Sequence, residues 1–170
     1  DGTQSLTGLA VDTDMRWTLL TGLVAAGAAD EAEIDREQDR DDTANGRRSA
    51  ALARATRPTA EAKQQAWASV VDSDELPNAM QESVIIGFGR VHDAELMRPF
   101  VDRYFAAIED VWATRTNETA QTIVIGLYPT RLADQALVDS SDAWLDAHPD
   151  AVPALRRLVS ENRDAVARAL

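Results

Sequence analysis

Pro99-Phe100-Val101-Asp102-Arg103-Tyr104-Phe105-Ala106-Ala107-Ile108-Glu109-Asp110-Val111-Trp112 is the stretch on which the fold turns. Phe100, Val101, Tyr104, Phe105, Ile108, Val111 and Trp112 recur at helical spacing, so they line one face of a helix and do not alternate as a strand would. Pro99 suits a first helical turn, where its missing N–H is not needed. Trp112, Tyr104 and Phe105 sit at core spacing and read as packing rather than as a ligand cage.

The same punctuation extends in both directions. Toward the N-terminus, Asp12 or Asp14 caps a helix carrying two adjacent apolar stripes, Met15-Leu19-Leu23 and Trp17-Leu20-Val24. Gly27 falls where a left-handed helix stop belongs. Asp30 to Arg40 is a short charged helix anchored by Ile34, with its early acids at the positive end of the dipole. Asp41 to Gly46 is a turn into a third helix that ends at Pro58. Thr59 caps the next, with Ala62, Ala66, Trp67, Val70 and Val71 at helical spacing. Leu76-Pro77-Asn78 breaks it, and Asn78 with Gln81 resembles a capping box opening a fifth helix that stops near Gly87-Phe88-Gly89.

Toward the C-terminus, Ala120, Ile123, Val124, Leu127 and Tyr128 make another stripe closed by Pro129. A pair of short helices is expected over Arg131 to Ala147, and Pro153 opens a last one. No hairpin with alternating strands occurs. The fold class is therefore all-α, with about nine helices joined by short connections into antiparallel pairs, either as a bundle or as a stack of helical hairpins. Trp17, Trp67, Trp112 and Trp144 fall one per helix, and their first two gaps approach the ~40–47-residue period of HEAT-type repeats. Residues 1–11, with Gly2, Gly8 and few apolar anchors, read as a frayed lead-in to a domain over 12–170.

Composition excludes several function classes. Seventeen basic against 29 acidic residues give a net charge of −12, which repels phosphate backbones and anionic membranes, so no nucleic-acid or membrane partner is expected. No apolar run approaches the ~20 residues that span a bilayer, and no export leader opens the chain. The absence of cysteine removes disulfides, thiolate chemistry and Cys-based metal sites, which fits a cytoplasmic setting. Lys63 is the only lysine. The first residue is Asp1 and the last, Leu170, falls inside a helical pattern, so the chain reads as a fragment of a longer protein.

No residue set for catalysis, cofactor binding or metal binding emerges. His92 and His148 are far apart in sequence, and neither belongs to the two-His-plus-Glu spacing of a zinc peptidase helix. Asp41, Asn45 and Gly46 fit part of a calcium-loop template, but Leu52 stands where a bidentate carboxylate is required. Gly87-Phe88-Gly89 follows a helix and lacks the third glycine of a dinucleotide loop. No serine sits in a nucleophile elbow. The acidic run Asp30-Glu31-Ala32-Glu33-Ile34-Asp35 reads as a solvated face moderated by Arg36 and Arg40. Asn117-Glu118-Thr119 reads as a helix start rather than a glycosylation acceptor.

Several segments taken together resemble the C-terminal helical (ERAP1-like) domain of M1-family aminopeptidases, of the actinobacterial aminopeptidase N type. They are Asp14-Met15-Arg16-Trp17-Thr18-Leu19-Leu20, Asp42-Thr43-Ala44-Asn45-Gly46, Ala53-Arg54-Ala55-Thr56-Arg57-Pro58 with Lys63 and Ala66-Trp67, Pro99 to Phe105 with Trp112, Trp144-Leu145, and Pro153 to Val159 with Glu161, Arg163-Asp164 and Arg168-Ala169-Leu170. Gln38 departs from the aliphatic expected there. The resemblance implies a HEAT- or armadillo-like superhelix at the end of a longer enzyme whose zinc is held by an upstream domain. It implies a non-catalytic wall that encloses the active site and restricts which peptides enter, with the parent's other domains and peptide substrates as partners. No catalytic residue carries over, since none of the zinc motif is present, and no substrate-contacting arginine maps onto a particular Arg. An acidic inner lining would attract a peptide's cationic amino terminus. The alternative is a free-standing helical-repeat scaffold that grips protein or peptide partners.

Overall fold

The computed structural model describes residues 11–170. Among them are nine α-helices: α1 (Thr13–Ala25), α2 (Glu31–Arg40), α3 (Ala44–Thr56), α4 (Ala60–Trp67), α5 (Asn78–Phe88), α6 (Phe100–Thr114), α7 (Asn117–Gly126), α8 (Gln135–Ala147) and α9 (Pro153–Ala167). A π-helical turn, Ala68–Asp72, extends α4, and a 3-10 turn, Ala94–Met97, precedes α6. The described residues contain no strand, in keeping with the all-α expectation. The expected lead-in lies outside the described residues except for Val11, which is exposed and non-helical.

Caps set most boundaries. The Asp12 carboxylate accepts from the Met15 N–H at 2.8 Å, Thr43 from Gly46 at 3.0 Å and Thr59 from Ala62 at 3.2 Å. Each supplies a partner that the first turn of a helix lacks within itself. Gly27 adopts φ 70, the left-handed stop read from its position after α1. Asp30 and Glu33 form a reciprocal capping box: the Glu33 N–H donates to Asp30 Oδ1 at 3.2 Å, and the Asp30 N–H to Glu33 Oε2 at 2.9 Å. Asp30→Ala is expected to cost about 1 kcal/mol, measured as a lowered urea midpoint at unchanged slope.

Two boundary expectations are corrected. Asn78 and Gln81 form no capping box; Pro77 occupies the cap position with no side-chain bond, and Gln81 is buried in the helix rather than reaching back. Arg131 to Ala147 holds one helix, α8 from Gln135, preceded by a turn, and not two short helices. Ala133 takes φ 38, and Asp134 caps the following turn by accepting from the Leu137 N–H at 2.9 Å. Arg98 holds that Asp134 carboxylate at 2.6 Å, so residues 129–134 become a tethered turn with Leu132 plugged into the core.

The helices pack in an ordered way. Odd-numbered helices touch in succession, α1 on α3, α3 on α5, α5 on α7 and α7 on α9. Behind them α6 packs on α8, and Trp67 of α4 meets Phe100 of α6 at 5.4 Å between ring centroids. The hydrophobic effect acts on two cores rather than one. A small core gathers Trp17, Val24, Ile34, Ala50 and Ala53 from α1, α2 and α3. The large one runs from Ala55 through Trp67, Phe88, Phe100 and Tyr104 to Val166. Helix α3 serves both, with alanines on each side that let its neighbours approach closely.

Several buried polar groups tie the helices together, each with a hydrogen-bond partner. Trp17 Nε1 donates to Asp41 Oδ2 at 2.9 Å, which fixes α1 against the α2–α3 turn. Hydrogen bonds from Trp17 and Thr43 hold the Asp41 carboxyl below its ordinary range. The Tyr104 hydroxyl donates to the Val124 carbonyl at 2.8 Å, and Tyr128 pairs with Ser141 Oγ at 2.8 Å. Arg156 Nη1 donates to the Leu145 and His148 carbonyls, satisfying the last turn of α8 with a cation.

Candidate functional site

The row behind α3 opens between α2 and α4, and the opening is a cleft of about 410 Å³. Its floor is apolar: Ala51 and Ala55 from α3, Ala62 and Ala66 from α4, Met80 and Val84 from α5. Its rim carries Arg47, Arg54 and Arg57 with Glu31, Gln38 and Gln65. The arginines lie seven and three residues apart along α3 and its end, which places them along one side of that helix.

Every rim guanidinium is engaged. Arg57 Nη1 donates to Glu31 Oε2 at 2.6 Å and Nη2 to Gln65 Oε1 at 3.0 Å. Arg54 donates to Gln38 Oε1 at 2.9 Å and to Asp35 Oδ1 at 2.5 Å. Arg47 reaches Asp42 Oδ1 at 2.7 Å. Three cations thus face three carboxylates, and the rim is balanced rather than acidic. The run Asp30 to Asp35 is in part this ladder, with Glu31 and Asp35 turned to α3 arginines, so only part of it is a solvated face. The acid-rich depression lies elsewhere, where Asp72, Asp74 and Asp110 surround Arg115. There Arg115 Nη2 donates to the Val71 and Ser73 carbonyls and pins the end of the π turn.

Against the back of this region stands Lys63, fully buried on α4. Its Nζ donates to the Ala55 carbonyl at 2.6 Å and the Gly87 carbonyl at 3.2 Å, joining the last turns of α3 and α5. Nζ lies 6.0 Å from the centre of the Phe88 ring. Burial pushes the ammonium down from 10.5 to about 8, since a low-dielectric setting penalises the charged form. A depressed lysine is a familiar nucleophile signature. Here the amine is sealed from solvent and committed to two carbonyls, so it acts as a tie between helices.

The cleft pairs an apolar floor with a charge-balanced rim. Ser69, the hydroxyl on its wall, donates back to the Ala66 carbonyl at 2.9 Å, and no histidine lines it. His92 is exposed in the loop after α5. His148 lies at the end of α8, stacked on Trp144 at 4.7 Å, with Nδ1 2.8 Å from the Trp144 carbonyl and Nε2 3.3 Å from Glu109. The two histidines do not converge, and among the described residues no group of three or more His, Cys, Asp or Glu is placed to hold a metal ion. The described residues do not fit a zinc centre. The sequence reading singled out no arginine, although Arg47, Arg54 and Arg57 carry a helical spacing that would have marked a common side.

The described residues thus form an all-helical stack with an apolar-floored, arginine-rimmed cleft between α2, α3, α4 and α5. The model of the ERAP1-like C-terminal domain matches residues 2–168, and the chain belongs to that family. It is also 53% identical, over its whole length, to an aminopeptidase N of Streptomyces lividans, of which it covers 20%. The chain thus spans about a fifth of the length of the curated relative that it matches. No helix among the described residues is long and apolar enough to cross a membrane.

Proposed function

We propose that this chain is the non-catalytic wall of a zinc aminopeptidase, enclosing the active site and restricting which peptides reach it. The observation that carries the reading is 53% identity, over the whole chain, to a fifth of an aminopeptidase N, by a segment whose described residues offer no metal site. In this reading the zinc and the acid–base groups belong to the other four-fifths of the parent, and this part supplies shape. A two-row stack of hairpins is well suited to that, because small rotations between successive hairpins generate a curved surface.

The test is a length profile of the parent enzyme. Removal of this part should leave hydrolysis of short aminoacyl reporters within a fewfold. It should raise the cleavage of long or folded polypeptides relative to short peptides by about tenfold or more, the factor that about 1.4 kcal/mol of exclusion represents. An unchanged ratio of long to short substrates would overturn the proposal. The isolated chain is expected to bind no stoichiometric zinc after mild chelation and to release no fluorophore from aminoacyl substrates.

A further inference from the structure

From Trp17 to Ala29 the sequence runs thirteen residues without a charge, although 27% of the chain is charged. Most of that run is α1, and it is apolar on two sides. One side buries Trp17, Thr21 and Val24 in the small core. The other leaves Leu19 and Leu23 at 56% and 51% exposed, the largest values for any big apolar side chain within a described helix. Gly22 lies beside them, also exposed, and a Cβ built there meets nothing within 4 Å. The other exposed apolar pair, Ile86 of α5 and Ile125 of α7, shares its patch with the carboxylates of Glu82 and Glu118. Ile86 of α5 has Glu82 one turn away, and α9 shows Arg157, Glu161 and Asp164.

We infer that the Leu19–Leu23 ridge of α1 is the seat by which this domain packs on the rest of its own parent polypeptide. The inference rests on the reading of the chain as one part of a larger aminopeptidase, and it names the surface that joins the parts. Three arguments select this occupant. The matched relative has four-fifths of its length outside the aligned segment, so an attached neighbour is at hand. An attached neighbour acts at high effective concentration, so a ridge of two leucines is enough to orient it. A second, free copy would need a surface of ~1,200 Å² or more, well beyond what two side chains and a glycine offer. The absence of charge along the ridge also favours an apolar contact over an ionic one.

Because this chain has no cysteine of its own, a thiol introduced at the ridge is the one labelled site in its peptides. Leu19→Cys and Leu23→Cys are made in the full-length parent, with Ala32→Cys on the exposed side of α2 as reference. Maleimide labelling is followed peptide by peptide in a mass spectrometer. Positions 19 and 23 should label at least tenfold more slowly than position 32, independently of protein concentration, and reach its rate on unfolding. Equal rates in the native parent would overturn the inference, and so would protection that appears only as concentration rises, the mark of a second copy. Open labelling at 19 and 23 together with a changed substrate-length profile on deletion would reject the seat alone. Protection with an unchanged profile would reject the wall and leave the seat.

Discussion

Gly87→Ala should lower the stability of this domain by about 3 kcal/mol, a shift of roughly 10 °C in midpoint for a chain of this size. The reason is the closeness of α3 and α5. A Cβ at position 87 would overlap the Leu52 carbonyl oxygen, and it would stand 2.8 Å from the Ala55 Cβ. Both obstacles belong to a helix backbone or sit directly on one, so neither swings aside as the end of a long side chain does. The helices must separate, and the cost of overpacking follows. Separation also lengthens the bridge from Lys63, whose two acceptors are carbonyls of those same helices. Gly22→Ala supplies the contrast: nothing lies within 4 Å of its added methyl, and alanine in an exposed helix gains up to about 1 kcal/mol over glycine. Thermal unfolding of the two variants should therefore move in opposite directions. A Gly87→Ala midpoint within 2 °C of the parent sequence, roughly half a kcal/mol by the same scaling, would show that the close approach carries no weight.

The helices themselves were legible because their ends are written in local chemistry. Asp12, Thr59 and Gly27 act within one turn of the residues they cap, so tertiary contacts do not override them. Where a boundary depends on a distant partner, the local reading failed. The start of α8 is set by Asp134, itself held by Arg98 thirty-six residues earlier, and no window of sequence contains both. The Asn78–Gln81 pattern failed for a related reason, since Gln81 is drawn inward by the packing of α5.

On α1 the periodicity showed two stripes but not which one the core would take. The indole N–H of Trp17 decides it, by finding the buried carboxylate of Asp41. Lys63 was the larger omission. It lies four residues before Trp67 and seven before Val70, on the side of α4 that enters the core, yet an ammonium there is read as solvent-facing. The cleft was illegible because its walls come from four helices, and charge pairing along its rim, not composition, sets its electrostatics.

The free energy of unfolding is expected to rise by about 2 kcal/mol between pH 7.5 and 9.5 on account of Lys63. The folded ammonium loses its proton near pH 8, whereas the ordinary value that describes the unfolded chain is 10.5. Between those values the unfolded state binds the extra proton, so the free energy of unfolding rises with pH at up to about 1.4 kcal/mol per unit. The neutral amine keeps two N–H groups, and two carbonyls are all that it serves, so the tie survives deprotonation. Few other groups blur the window. The chain has no cysteine and no second lysine, and burial pushes Tyr104 and Tyr128 up. Raised tyrosines withdraw stability only as pH climbs past about 10, in the opposite sense.

Lys63→Met separates charge from shape. It removes the cost of burying an ammonium, but it strands two helix-end carbonyls at roughly 1–3 kcal/mol each. Near pH 7 these effects largely offset, and the variant should unfold close to the parent sequence. At pH 9.5 the parent sequence should lead by about 2 kcal/mol more, because only its amine has shed the proton while keeping both bonds. Urea midpoints at half-unit steps from pH 7 to 9.5 read the divergence directly. Parallel curves for the two proteins would mean that Lys63 is held with water or a counter-charge and is not the dry tie between α3 and α5.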